Sequence, residues 1–295
     1  MVTECFELHF LSGRRLNQHR GGNSPRGVAQ TKNRGSGDSA MRSLIINADD
    51  FGLDHETCGT TIDCFEAGLL TSATIMVGCE ASKQAYDYAR QNRTRFSFGL
   101  HFNIVDGFEP LAGKDTSLCD EPGAFRESDA QRYAAMAGLL ANTEIRREFR
   151  LQLEELRDNH VEVTHVDSHG HLHKFPSIIY SIRQEMRRAG ITWVRRPQNV
   201  FLRPNAPRRI INNVFAIPFW GLMRTDYYCA VDGGDETWAQ RLPDALPDGL
   251  TEVSVHPGRA EPWRRIEAEP LLHPDELGTA LTSAGIALTR YRAHG

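Results

Sequence analysis

Residues 44–52 read LIINADDFG, so an apolar run leads directly into two adjacent carboxylates near the start of the chain. The apolar part has no polar face, which is typical of a strand buried on both sides in a parallel sheet. Two carboxylates at the end of a buried strand are costly unless something binds or uses them. The stretch therefore predicts a buried parallel strand and a functional site at its carboxyl end.

Strand-like and helix-like segments alternate from Ser43 onward. Strands are predicted at residues 43–48, 72–77, 96–102, 161–166, 191–194, 226–231, 250–255 and 286–289. Helices are predicted at residues 56–67, 81–91, 176–188 and 275–284, within 205–221, and over most of 128–160. Alternation over about 250 residues predicts a TIM-barrel-like (β/α) barrel with a mostly parallel sheet, and an open doubly wound sheet is the alternative. Both architectures bind ligands at the carboxyl ends of their strands.

The bulk composition is that of a globular protein without a strong charge bias. The chain has 295 residues, 40% hydrophobic and 24% charged residues and a net charge of -4. These values give no sign of a nucleic-acid or membrane partner, and no apolar stretch approaches the length of a transmembrane helix. Six scattered cysteines without a CxxC pair argue against a zinc ribbon or disulfide framework, and they favour reduced thiols in a cytoplasmic protein.

The first 41 residues differ from the remainder. They are rich in Gly, Ser, Asn and Arg and show no sustained hydrophobic periodicity. This composition predicts that residues 1–41 are a disordered or non-native extension. Residues 42–295 are predicted to form a single catalytic β/α barrel domain.

Three further polar motifs follow predicted strands, namely residues 99–103 (GLHFN), 165–173 (HVDSHGHLH) and 256–258 (HPG). Because the carboxyl ends of parallel strands meet at one edge, these motifs should converge on Asp49 and Asp50. Neighbouring side chains of an extended strand point to opposite sides, so the two aspartates should do different work. One would bind a cation and the other would hold or activate a water. An Asp-His-His set supplies three protein ligands and leaves positions for water and substrate.

The histidine-rich motif does not by itself indicate which of its histidines binds the metal. His169, His171 and His173 are spaced by two, so a regular strand cannot aim all three at one ion. One would bind metal while another contacts substrate or supports the site. His256, held by a Pro-Gly turn, suits a general acid that protonates a leaving amine. Arg195 either contacts substrate or belongs to a solvated basic face.

In combination, these motifs resemble the YdjC/ChbG-like carbohydrate deacetylases from Arg42 to about Gly258. The resemblance implies a TIM-barrel-like fold, a homodimer and an N-acetylated sugar as substrate. It also implies one divalent cation, Mg²⁺ first, with Zn²⁺, Mn²⁺ or Co²⁺ as alternatives. Carried over by motif position, the metal ligands would be Asp50, His101 and His169, the general base Asp49 and the general acid His256. Residues expected to bind substrate or support the ligands are Asn103, Asp167, His171, His173 and Arg195, and His171 or His173 could replace His169.

Other functions use a similar set of residues. A two-His-one-carboxylate iron oxygenase shares the Asp-His-His ligands but has no need of the neighbouring aspartate. A metal phosphoesterase would more often hold two metals and further carboxylate ligands. A non-catalytic carbohydrate-binding protein on the same scaffold would lack Asp49 or a ligand, whereas all expected residues are present here.

Overall fold

A computed structural model describes residues 42–120 and 123–292 of the chain. Its strands are β1 (Arg42–Phe51), β2 (Ser72–Ile75), β3 (Ser97–Phe102), β4 (Val163–Ser168), β5 (Trp193–Val194), β6 (Tyr227–Ala230), β7 (Gly249–Val255) and β8 (Ile286–Leu288). Its α-helices are α1 (His55–Ala67), α2 (Ser82–Asn92), α3 (Ser128–Met136), α4 (Asn142–Asp158), α5 (Pro176–Arg188), α6 (Ala206–Phe215), α7 (Trp238–Ala245), α8 (Pro262–Leu272) and α9 (Asp275–Ser283). Two 3₁₀ turns cover His169–Lys174 and Ile217–Phe219.

The strands form one parallel sheet in the order β5-β4-β3-β2-β1-β7-β6, and β8 also pairs with the start of β1. A (β/α) barrel that is open between β5 and β6 has this strand order. A doubly wound sheet has a different strand order. Across the opening, the backbone N–H of Val194 donates to Met223, and those of Asn199 and Val200 donate to Tyr228. The predicted TIM-barrel-like class is therefore confirmed.

The first strand lies at the centre of this arrangement because it is apolar on both faces. Leu44, Ile46 and Ala48 are fully buried, and β1 pairs with β2, β7 and β8. The following helix α1 has the ends that the sequence predicts. Asp54 caps it by accepting a hydrogen bond from the Thr57 amide, at 2.7 Å. Gly68 ends it in the left-handed conformation.

Helix over most of residues 128–160 is confirmed, but it is divided into α3 and α4 because the chain turns at Gly138, which has a φ of 70°. Helices α7 and α8 were not predicted. Each contains a proline, Pro243 or Pro270, within its last turns. Proline usually marks a helix end in sequence patterns, and here it conceals the helix.

None of the helices in the described ranges is long and apolar enough to cross a membrane. The extension predicted for residues 1–41 lies outside the described residues, so the domain boundary at residue 42 stays a prediction.

Candidate metal centre and active site

Three ligand-type atoms from three strand ends converge at the carboxyl edge of the sheet. Asp50 Oδ1 lies 2.8 Å from His169 Nδ1 and 3.2 Å from His101 Nε2, and the two imidazole nitrogens are 3.3 Å apart. Asp50 and His101 are at most 1% exposed. The Asp50 oxygen and these two nitrogens face one point. Asp50, His101 and His169, the trio, thus form a donor set that suits a divalent cation.

The end of β1 is not a regular strand, and this places its two aspartates. The pairing of β1 with β2 shifts register between Ala48 and Phe51, and Asp50 has a φ of 60°. Simple strand alternation was therefore the wrong geometry for this pair. The irregularity aims Asp50 at the two histidines, while Asp49 faces other partners within the barrel.

In each histidine of the trio, the ring nitrogen that faces away from Asp50 contacts a second carboxylate. His101 Nδ1 lies 2.7 Å from Asp167 Oδ1, and His169 Nε2 lies 3.2 Å from Asp106 Oδ2. Such contacts fix the ring orientation and leave the other nitrogen for a metal. Asp167 was a predicted supporting residue. Asp106 was not predicted, and its only signal was an Asp-Gly pair in the long loop after β3.

The charges around the trio also fit a cation. Burial alone would lower the pKa of His101, but Asp167 and Asp50 raise it to about 10. Burial opposes a similar effect at His169, whose pKa Asp50 and Asp106 raise to about 9. Both rings are therefore in a strongly anionic environment. A divalent cation between them would balance the same carboxylates that otherwise favour protonation.

Asp49 is paired with a buried arginine. Arg195 Nη1 and Nη2 donate to the two Asp49 oxygens at 2.6 and 2.7 Å, and Arg195 Nε donates to Glu252 at 2.7 Å. Arg195 is fully buried, so the solvated basic face considered for it is wrong. Burial alone would raise the pKa of Asp49, but the guanidinium lowers it below the usual value. Asp49 is therefore an ionised and firmly oriented carboxylate.

A second group of ligand-type atoms, from Asp49, His101 and Asp167, already has a cationic partner. Arg195 Nη1 lies 2.6 Å from an Asp49 oxygen and 2.7 Å from an Asp167 oxygen. A guanidinium so placed occupies carboxylate oxygens that a second metal would need. The geometry thus favours one metal centre over the two-metal site of a phosphoesterase.

His256 lies on the other side of Asp49, with its Nε2 3.8 Å from Asp49 Oδ2. Its Nδ1 lies 3.1 Å from Glu267 Oε2, which also accepts the His256 backbone N–H at 2.7 Å. Burial alone would lower the pKa of His256, but Glu267 raises it above the usual value. The His256 imidazole, whose protonated form Glu267 favours, faces the space beside Asp49. Glu267 lies on α8, the helix that the sequence did not reveal.

The remaining candidates lie near this centre without joining the trio. The turn after β4 has positive φ angles at Gly170 and His171, which separates His171 and His173 from His169. The His171 ring lies 6.1 Å from the Tyr228 ring, and His173 Nδ1 lies 2.7 Å from Ser168 Oγ. Asn103 Oδ1 accepts the Val105 backbone N–H at 2.9 Å. Of the three clustered histidines, His169 thus contributes the atom that faces Asp50.

Comparison with known proteins places these motifs in a wider context. A family model described as YdjC-like protein matches residues 43–283. A carbohydrate deacetylase of Geobacillus stearothermophilus is 29% identical over 262 residues, which cover 85% of this chain and 97% of that protein. A carbohydrate deacetylase of Brevibacillus brevis is 34% identical over 136 residues, which are 46% of this chain and 52% of that protein.

A solved structure has the same fold. It is a putative cellobiose-phosphate cleavage protein from Enterococcus faecalis, with a TM-score of 0.71 and 22% sequence identity. The alignment covers 85% of this chain and 98% of that chain.

Proposed function

We propose that this chain, which belongs to the YdjC-like protein family, is a divalent-metal-dependent hydrolase that removes the acetyl group from an N-acetylated sugar. The observation that carries the proposal is the Asp50–His101–His169 trio with Asp49 and His256 beside it. The relatives named carbohydrate deacetylases support the same reaction class. Two imidazoles and one carboxylate suit Zn²⁺, Mn²⁺ and Co²⁺ as well as the Mg²⁺ predicted by resemblance.

The proposed chemistry begins with a water beside Asp49. A divalent cation bound at the trio would supply Lewis acidity toward that water and the acetamide carbonyl. Asp49 accepts the proton that the water loses as it attacks the carbonyl carbon. Arg195 keeps Asp49 ionised and oriented through its two hydrogen bonds. Arg195 thus stabilises the negative charge on Asp49 and fixes the position of its two oxygens.

His256 completes the reaction as the proposed general acid. The leaving amine needs a proton as its bond to the carbonyl carbon breaks, and Glu267 favours the protonated imidazole that can supply it. Acetate and the free amine of the sugar are the products. The 3.8 Å between His256 Nε2 and Asp49 Oδ2 supports this pairing, because two proton-transfer groups this close can reach the same amide.

The test is acetate release from N-acetylated mono- and oligosaccharides. Metal-stripped protein would be assayed with Mg²⁺, Zn²⁺, Mn²⁺ or Co²⁺ added back, and with Fe²⁺ under oxygen monitoring. We expect metal-dependent acetate release that is abolished in Asp49→Asn. Metal binding without acetate release from any sugar would contradict the deacetylase proposal. Oxygen consumption dependent on Fe²⁺ would favour the oxygenase alternative instead.

A further inference from the structure

The two carboxylate oxygens of Asp50 face different partners. Oδ1 faces the two imidazoles of the trio, at 2.8 and 3.2 Å. Oδ2 accepts a hydrogen bond from Arg264 Nη2 at 2.7 Å. Because Oδ2 is held by a cationic donor, only Oδ1 is directed toward the point where the ligand atoms converge.

Arg264 is built into this position. It lies on α8 and is 5% exposed, and its guanidinium lies 4.5 Å from the centre of the Trp263 ring. A Cβ on Gly258 would lie 2.9 Å from Arg264 Cδ, so glycine at the end of the 256–258 motif leaves room for this side chain. The site thus holds a buried arginine, with a packed stem, against one oxygen of a proposed metal ligand.

This inference rests on the proposed function, since it concerns the same metal centre. We propose that Arg264 makes Asp50 a ligand of one oxygen and thereby sets which size of cation the site accepts. Large cations such as Ca²⁺ take six to eight oxygen ligands and readily use both oxygens of a carboxylate. Smaller cations such as Zn²⁺ and Co²⁺ are satisfied by fewer ligands and by imidazole nitrogen. Arg264 is therefore a positioning residue that discriminates against Ca²⁺.

The ratio of the affinities for two cations distinguishes control of cation size by Arg264 from a general effect of its charge or packing. Arg264 also adds positive charge and supports local packing, and losing either would change the affinity for all divalent cations in the same direction. Freeing Asp50 Oδ2 should instead favour the larger cation selectively. The relevant quantity is the dissociation constant for Ca²⁺ divided by that for Co²⁺.

The experiment is calorimetric titration of metal-stripped protein with Ca²⁺ and with Co²⁺, without substrate. In Arg264→Met we expect this ratio to fall by about 10-fold or more, in the range found when residues behind metal ligands are removed. Arg264→Lys keeps a cationic donor for Oδ2 and should stay near the unchanged protein. Arg265→Met is the matched control, because Arg265 is the next residue of α8 and its side chain donates to the backbone of Arg259.

A second variant tests the idea if Arg264→Met fails to fold, as judged by circular dichroism. Gly258→Ala keeps the charge but crowds Arg264 Cδ, so it should lower the ratio in the same direction. If the two dissociation constants change equally in Arg264→Met or Gly258→Ala, their ratio stays unchanged. That result would overturn the proposal that Arg264 discriminates against Ca²⁺. The unchanged protein failing to bind any divalent cation would instead overturn the proposed function.

Discussion

Arg195 and Asp49 are joined by two parallel hydrogen bonds of 2.6 and 2.7 Å, and both side chains are at most 1% exposed. Asp49 lies on β1 and Arg195 follows β5, so the pair crosses the interior of the barrel. The Arg195 Nε bond to Glu252 adds a contact with β7. Three separate parts of the sheet thus determine where the proposed base lies.

We expect Arg195→Lys to lower kcat on the order of 100-fold. Lysine keeps the positive charge but lacks the planar pair of donors, so Asp49 loses its fixed orientation toward the water. KM should change little, since Arg195 lies behind Asp49. Acetate-release kinetics would measure both constants, and circular dichroism would check the fold. A kcat within about 2-fold of the unchanged protein would contradict the positioning role.

Tyr291 extends this chain of contacts to the end of the described sequence. Its hydroxyl donates to Glu252 Oε2 at 2.6 Å, and Glu252 Oε1 accepts from Arg195. Tyr291→Phe leaves a buried carboxylate oxygen without that donor. We expect a stability loss of about 1–3 kcal/mol in urea unfolding and a drop in kcat on the order of 10-fold.

The control for Tyr291 is Tyr88→Phe, because the Tyr88 hydroxyl makes a similar 2.7 Å bond to an exposed carboxylate, Glu66. Water can replace that donor, so we expect a stability change within about 0.5 kcal/mol and unchanged kcat. Equal effects of the two substitutions on kcat would contradict the connection from Tyr291 to Asp49.

Glu267→Gln tests the role of His256 through the pH dependence of kcat/KM. A general acid must be protonated, so activity should fall as the pH rises through the pKa of His256. Glu267 raises that pKa, and its removal should lower it. We therefore expect the alkaline limb of the profile to move to lower pH in Glu267→Gln.

Glu269→Gln is the matched control, since Glu269 lies on the same helix and is exposed beside His273. Its pH profile should match that of the unchanged protein. An unmoved alkaline limb in Glu267→Gln, with activity retained, would mean that His256 does not supply the proton.

The sequence predicted the parallel barrel because local pattern determines each strand. The buried run from Leu44 to Ala48 needs only its own composition to identify it. Polar motifs at strand ends then had to converge, since parallel strands share an edge. That convergence left open which aspartate and which histidines bind the cation, and the set Asp50, His101 and His169 was implied by the family resemblance. The structure places their ligand-type atoms side by side.

Asp167 was predicted as a supporting residue, but other supporting residues could not be predicted in the same way. Arg264 and Glu267 lie on a helix concealed by Pro270, and Arg264 is 214 positions from its partner Asp50. Asp106 lies in a loop whose path depends on tertiary contacts, such as the bond from Ser128 N to Asp106 Oδ1. Local periodicity does not predict such long-range contacts. The burial of Arg195 could not be predicted either, because arginine is usually a surface residue and its buried partners are distant in the sequence.

Glu185 offers a test of stability that is separate from the active site. It lies on α5, it is buried, and it accepts hydrogen bonds from Arg146 on α4 at 2.8 and 3.0 Å and from Arg188 at 3.0 Å. Burial alone would raise the pKa of Glu185, but Arg146 and its neighbours lower it below the usual value. Its stabilising effect is therefore complete above the unfolded-state pKa of about 4.3 and is lost as the pH falls through the folded-state pKa.

We expect Glu185→Gln to lower the free energy of unfolding by about 1–3 kcal/mol at pH 7. The difference from the unchanged protein should shrink as the pH falls from the unfolded-state pKa of about 4.3 through the lower folded-state pKa, because Glu185 is then protonated and neutral like glutamine. Urea unfolding at pH 7, 5 and 3.5 measures this difference. Glu66→Gln, which removes an exposed partner of Arg95, should change stability little at any pH. A loss in Glu185→Gln that is the same at all three pH values would show that the side chain acts through packing and not through its charge.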